Sequence, residues 1–324
     1  MQEIMKQAKL KAEELLTKGV VNRVIGWTEG DFSYDCSPAT FTLDNLDKFV
    51  YTEFCGANLS KYLIEESKKE GKILVFLKPC DTYSFNQLIQ EHRIKRENIY
   101  VVGIECRGKV DIDKLRAFGI DGVLGCKTEG DKLICDTIYG EKTVDKVDVM
   151  LEKCLSCKGK KHVVYDELIG EEVVEEPKDR FGMVAQLEAM TEDERYKFWQ
   201  NELSKCIRCN ACRNVCPACS CVHCVFDNPD SNIASKANTD RFEEKLYHII
   251  RAWHVAGRCT DCGECSRVCP QGIPLHLINR KFIKDMNEFY GEYQAGEDTE
   301  TKAPLNSYTF GDREPHEFDT KEGK

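Results

Sequence analysis

Eleven of the nineteen cysteines fall between Cys206 and Cys269, in two runs with short internal spacings. Cys206, Cys209, Cys212 and Cys216, followed by Pro217, form a C-x2-C-x2-C-x3-C-P pattern, and Cys259, Cys262, Cys265 and Cys269, followed by Pro270, repeat it. Three thiolates at this spacing wrap one face of an iron–sulfur cubane, while the fourth cysteine of each run crosses to the other cluster. The predicted ligand sets are therefore Cys206, Cys209, Cys212 and Cys269 for one [4Fe-4S] cluster, and Cys259, Cys262, Cys265 and Cys216 for the other. Zinc needs four ligands and could use any two CxxC pairs, but it gives no reason for the same pattern to occur twice.

Cys219, Cys221 and Cys224 follow the first run directly, in CPACSCVHC. They are candidate additional ligands, supplying three positions of a further cluster completed by a distant residue or a partner chain. Equally, they read as buried small residues or an alternative ligand set. Nearer the N-terminus, Cys80 and Cys106 each follow an apolar run, and Cys154 and Cys157 form a CxxC pair. These four are soft ligands for a third cluster, although spacing alone also allows the CxxC to be half of a zinc site.

The elements that must position these thiols are partly visible. Residues 3 to 17 read as an amphipathic helix, and VVNRVIGWT with DFSYDC as a short strand pair. Asn58 or Ser60 can cap a helix through LSKYLIEESKKE, closed by Gly71. KILVFL (72–77) and IYVVGI (99–104) read as buried parallel strands, each followed by a helical stretch, so Cys80 and Cys106 fall just past strand carboxyl ends, where α/β proteins place ligands. GVLG (122–125) reads as a third short strand. Phe242, Leu246, Ile249, Ile250 and Trp253 recur at helical spacing and predict an amphipathic helix leading into the second run. His248 and His254 lie on it, most simply as structural or surface residues, with His254 a candidate to tune a cluster by a hydrogen bond. The expected organisation is an α/β domain over 1–170, a linker over 171–203, a helical two-cluster domain over 204–290, and a polar, acidic tail over 291–324 with few anchoring residues.

Bulk properties narrow the function. The 56 acidic against 46 basic residues give a net charge of -10, which offers no field for a nucleic-acid backbone. No apolar run is long enough to span a bilayer, and MQEIMKQAKLKAEELL lacks the apolar core of a signal peptide, so a cytoplasmic location is expected. In that reducing compartment the cysteine runs are ligands rather than disulfides.

At Lys78-Pro79-Cys80-Asp81, Gly103-Ile104-Glu105-Cys106 and Cys154-Leu155-Ser156-Cys157 the chain resembles the beta-subunit family of coenzyme F420-reducing hydrogenases and F420-dependent formate dehydrogenases. Coupling of such a domain to two C-terminal clusters is similar to the A subunit of anaerobic sulfite reductase. The helix between the two runs resembles the helical ferredoxin-type domains of heterodisulfide reductases and of succinate and fumarate oxidoreductases. The resemblance implies a [4Fe-4S] cluster on Cys80, Cys106, Cys154 and Cys157. Family members also carry FAD and reduce F420. This chain, however, has no G-x-G-x-x-G run, and much of its first 170 residues serves the cluster site.

The sequence therefore predicts an α+β or α/β domain followed by an α-helical ferredoxin-type domain with two [4Fe-4S] clusters. No substrate base or nucleophile is evident, so no catalytic residue is assigned. The expected function is a relay of single electrons in an anaerobic multi-subunit complex, between a flavoprotein-, hydrogenase- or formate dehydrogenase-type partner and another, heterodisulfide-reductase-like iron–sulfur subunit. An FAD-containing oxidoreductase acting on F420 or NAD(P)H is the main alternative, with Lys78, Asp81 and Arg107 as candidate cofactor contacts. A scaffold merely braced by clusters is the other.

Overall fold

The computed structural model describes residues 1–158, 161–172, 179–228 and 241–307. A mixed α/β domain comes first. Helix α1 (Gln2–Thr17) buries Ala8, Ala12 and Leu15 on one face. Strand β1 (Arg23–Glu29) pairs antiparallel with β2 (Cys36–Phe41) along one edge, while its other edge is shared between β3 (Phe49–Val50) and a parallel strand, β4 (Ile73–Leu77). The helix expected after Asn58 is brief: its side chain accepts the Ser60 N–H at 2.9 Å, and one short turn leads into α2 (Leu63–Glu66).

After β4 comes α3 (Pro79–Gln90), then β5 (Ile99–Ile104), which lies parallel to β4 with Leu77 opposite Gly103. This register puts Cys80 and Cys106 at the same end of the sheet. The continuous apolar runs of β4 and β5 are buried on both faces, which a parallel sheet covered by helices requires. Helix α4 (Ile112–Ala117) follows, and then a separate antiparallel sheet of β6 (Val123–Glu129), β7 (Lys132–Thr137) and β8 (Lys142–Asp145). Residues 122–125 thus open a hairpin and do not extend the parallel sheet. Gly130 at φ +57° supplies the left-handed turn between β6 and β7. A disulfide joins Cys126 to Cys135 across that hairpin, outside both cysteine runs. Helix α5 (Glu152–Leu155) carries Cys154, and β9 (Glu167–Ile169) pairs parallel with β5 to close the main sheet.

The C-terminal region is helical. Helices α6 (Gly182–Ala189) and α7 (Glu192–Leu203) occupy the stretch read as a linker. There Val184 and Leu187 bury against Leu277, and the Thr191 side chain caps α7 through the Glu194 N–H. The cysteine runs enter two single-turn helices, α8 (Ala211–Asn214) and α10 (Glu264–Arg267), flanking α9 (Arg241–Val255), and α11 (His276–Tyr290) follows.

Helix α9 forms as its spacing predicts, but with the opposite face inward. Phe242, Ile249 and Trp253 are 69, 47 and 67 % exposed, whereas Glu244, Tyr247, His248 and Arg251 are buried. The inner face meets the cysteine runs, where polar and positive groups are of more use than hydrocarbon. The start of the tail is also held: Tyr293, Ala295 and Ala303 join an apolar cluster with Ile283 and Met286, and the Tyr293 hydroxyl donates to the Gly257 carbonyl at 3.0 Å. Gln90 Nε2 donates to the Thr301 carbonyl at 2.6 Å. Residues 308–324 lie outside the described residues.

Gly296 makes that docking possible, because it has φ +76° and a Cβ there would stand 1.9 Å from the Tyr83 carbonyl oxygen. Gly296→Ala is expected to cost about 2 kcal/mol in thermal unfolding and to open Lys302 to trypsin. Unchanged protection of Lys302 would show that the segment is held elsewhere.

Candidate metal centres

The two cysteine runs fold the same way. Arg208 and Asn210 in the first, and Asp261 and Gly263 in the second, stand at matching positions, and all four have positive φ, between 54° and 66°. Three of them are not glycine, so the first loop holds a costly backbone state at both steps and the second at Asp261. The turns lead into α8 and α10, which carry the third cysteine of each run, Cys212 and Cys265. Asp261 also braces its loop as a fully buried carboxylate, held by Arg180 at 2.7 Å and Arg280 at 3.0 Å. Burial alone would raise its pKa, but the two guanidiniums hold it below the ordinary carboxylate value.

The thiols of the runs intermingle. Cys212 has Cys269 and Cys209 as charge neighbours, and Cys206 has Cys212. Cys216 instead lies among Cys259, Cys262 and Cys265. The fourth cysteine of each run thus sits with the first three of the other. Burial pushes the Cys206 and Cys259 thiols up to about 12 and Cys265 to about 11, so these groups stay protonated unless cations balance them. Iron would supply that charge, and a donor set of eight soft sulfurs fits it. One protein cation already lies between the sets: Arg251 of α9 is buried, donates to the Cys212 carbonyl at 3.0 Å, and neighbours Cys216, Cys265 and Cys212.

A different grouping was not foreseen. Cys206 Sγ, a Glu244 oxygen and a His248 nitrogen lie within 4.8 Å of one another, the one such compact set among the described residues. That spacing suits a single ion, whereas a cubane holds its thiolates farther apart. Burial, with Arg251 and Arg208 nearby, lowers His248 to about 3, so its ring is neutral. His254 is exposed and lines a cavity of about 360 Å3 together with Cys219, Cys221, Cys224 and Arg258. In that cavity Cys219 is in hydrogen-bonding contact with Cys216, whose pKa falls to about 5 through that bond, against burial, and through Arg251.

The N-terminal set is also assembled. Cys80, in the first turn of α3, is in hydrogen-bonding contact with Cys157, and Cys154 neighbours both Cys106 and Cys157. Lys78 and Asp81 form a fully buried ion pair at 2.8 Å, with Lys78 Nζ also donating to the Ala57 carbonyl at 2.6 Å. They brace the strand end. Arg107 pairs with Glu105 at 2.5 Å.

Three buried lysines missed in the sequence tie the sets together. Lys109 neighbours Cys106. Lys153 pairs with Glu264 of α10, which Arg267 also binds at 2.8 Å and the Asn58 N–H reaches at 3.2 Å. Burial alone would lower Lys153, but Glu264 and then Cys80 raise it, while Lys153 and Arg267 keep Glu264 ionised against its own burial. Lys158 has both Cys157 and Cys259 as neighbours, and burial with Arg180 lowers it to about 7. Each lies close in sequence to a cysteine of the N-terminal set, but no local pattern marks its distant partner, Cys55 for Lys109, Glu264 for Lys153 and Cys259 for Lys158.

Gly263 sits where this network is tightest: φ is +66°, and a Cβ would meet Lys153 Cβ at 2.4 Å. Gly263→Val is expected to cost roughly 2–4 kcal/mol of stability and to lower bound iron, whereas Asn210→Gly, which relieves strain at the matching position, keeps both. Equal iron in both variants would show that the loop conformation is not required.

Residues 202–273 match the family model for the 4Fe-4S dicluster domain. The F420-dependent formate dehydrogenase subunit beta of Methanocaldococcus jannaschii is 24 % identical, over 83 % of this chain and 86 % of its own length. The F420-dependent formate dehydrogenase 1 subunit beta of Methanococcus maripaludis is 26 % identical, over 90 % of each. Among solved structures, a chain of the xenon-derivatised F420-reducing [NiFe] hydrogenase complex from Methanosarcina barkeri is 19 % identical, with a TM-score of 0.39 over 48 % of this chain and 62 % of that one. No described helix is long and apolar enough to cross a membrane. The chain is homologous to the beta-subunit family of F420-dependent formate dehydrogenases, and it carries a 4Fe-4S dicluster domain in its helical C-terminal region.

Proposed function

We propose that this chain is a cytoplasmic electron-transfer subunit that relays single electrons through three [4Fe-4S] clusters. Cys80, Cys106, Cys154 and Cys157 hold the first. Cys259, Cys262, Cys265 and Cys216 hold the second, and Cys206, Cys209, Cys212 and Cys269 the third. The observation that carries this reading is the contiguity of the sets: Lys158 borders both Cys157 and Cys259, and Arg251 borders cysteines of both C-terminal sets. Cys209 is exposed, so the last set reaches the surface, where a further iron–sulfur subunit can exchange electrons. The other end serves a flavin-, hydrogenase- or formate dehydrogenase-type partner in an anaerobic complex.

A second reading is favoured by the names of the two archaeal relatives, which cover most of the chain. In it this subunit binds FAD and itself exchanges electron pairs with F420 or a nicotinamide. Without a flavin it is confined to conduction, because cubanes pass electrons singly. Iron, acid-labile sulfide and flavin per chain, measured after anaerobic purification, separate the readings. About 12 iron and 12 sulfide without flavin match the relay; one FAD per chain moves the chemistry into this subunit, and about 8 iron leaves the N-terminal cysteines without a cluster.

Arg251 supplies a second check. Its guanidinium stabilises the added negative charge of a reduced cluster, so Arg251→Gln is expected to lower both dicluster midpoint potentials by roughly 100 mV. Arg251→Lys keeps the charge and should recover most of the shift in a potentiometric titration followed by electron paramagnetic resonance. Unmoved potentials in Arg251→Gln would place the clusters elsewhere.

A further inference from the structure

Two cysteines outside the runs, Cys36 and Cys55, lie together in the N-terminal domain. Cys36 opens β2, Cys55 follows β3, and their thiols flank the Thr52 hydroxyl. Thr52 joins them: its hydroxyl oxygen is 3.4 Å from Cys36 Sγ and 3.6 Å from Cys55 Sγ, and its backbone N–H donates to Cys55 Sγ at 3.2 Å. Lys109, fully buried, donates to the Thr52 carbonyl at 2.8 Å and neighbours both Cys55 and Cys106. A pair of cysteines that merely fills a core has no need of an N–H directed at sulfur and a buried ammonium nearby. Burial alone would raise Cys55, but the bond from Cys36, the Lys109 charge and the Thr52 N–H bring it down to about 6. The proton shared by the pair therefore rests on Cys36, whose thiol is pushed up by the bond to Cys55 and by burial. Cys55 is sealed from solvent, and Cys36 is partly exposed.

We propose that Cys36 and Cys55 form a redox-active dithiol that passes electrons from the adjacent N-terminal cluster to a low-molecular-weight disulfide. The proposal rests on the assignment of a cluster to Cys80, Cys106, Cys154 and Cys157. The Cys55 thiolate acts as base, taking the Cys36 proton as Cys36, the accessible sulfur, attacks one sulfur of R–S–S–R, forming a mixed disulfide and releasing one thiolate. Cys55 then attacks Cys36 Sγ, releasing the second thiolate and a proton and leaving the Cys36–Cys55 disulfide. Two electrons, delivered one at a time by the reduced cluster, and one proton restore the Cys36 thiol and the Cys55 thiolate. Lys109 stands between the two centres and favours the anionic state of each.

The test uses the full chain under anaerobiosis, with reduced methyl viologen as donor and bis(2-hydroxyethyl) disulfide as acceptor. Viologen-linked disulfide reduction is expected to fall at least tenfold in Cys36→Ser and in Cys55→Ser at unchanged iron content. Peptide mapping of the oxidised wild type should find a Cys36–Cys55 link distinct from that of Cys126 and Cys135. Wild-type turnover in either variant, or no such link at any thiol–disulfide poise, overturns the proposal. Cys106→Ala separates it from the cluster assignment. Loss of iron and turnover, with the link still formed by diamide, supports both; unchanged iron overturns the cluster assignment even where Cys36→Ser abolishes turnover.

Discussion

Gathering thiols in a low-dielectric interior is the constraint on which the rest of this structure depends. A buried thiolate without a counter-charge is expensive, and the raised Cys206, Cys259, Cys262 and Cys265 record that cost. The fold meets it with fixed cations. Arg251 reaches both C-terminal sets from α9, and the N-terminal set is reached from two segments, by Lys109 before α4 and by Lys153 and Lys158 around Cys154 and Cys157. These cations are themselves buried, so they require the sulfurs as much as the sulfurs require them. Binding iron and holding the fold are on this view one electrostatic problem, in which removal of either charge strands the other.

The backbone is arranged to the same end. Parallel pairing of β4 with β5 brings Cys80 and Cys106 to one sheet end, where the N-terminus of α3 favours negative charge on sulfur. In the C-terminal region, positive φ at Arg208, Asn210, Asp261 and Gly263 turns each loop around its own sulfurs. Only one of those four positions has the residue that adopts this conformation freely. Strain is accepted at the other three because the loop must enclose something, and because short helices immediately afterwards fix Cys212 and Cys265.

What was legible in the sequence was local. Cubane ligation prescribes a spacing within a few residues, so the two runs could be read directly, and the strands ending near Cys80 and Cys106 declared themselves by unbroken apolar runs. Polar partners were illegible, since the Lys153–Glu264 pair spans 111 positions. The orientation of α9 failed for a related reason. Its apolar stripe is exposed at Phe242, Ile249 and Trp253 and only half-buried at Leu246 and Ile250, because the inward face is the one that brings Arg251 to the sulfurs. Residues 122–125 carry the short apolar pattern of a strand, and such a pattern does not say which sheet will receive it.

Glu264 shows why the two halves cannot be treated as independent modules. It stands at the start of α10, inside the second cysteine run, yet its counter-ion Lys153 immediately precedes Cys154 of the N-terminal set. With no exposed surface, its carboxylate depends on Lys153, Arg267 and the Asn58 N–H together. Separating the domains would leave Arg267 as its remaining ionic partner and would hydrate a loop that otherwise packs against Gly56 and Lys153. The same contact fixes the position of the second set relative to the first. Electron transfer between centres falls steeply with separation, so a buried, fully paired carboxylate at this junction would hold the spacing that the proposed relay requires more firmly than an apolar contact of equal area, which could slide.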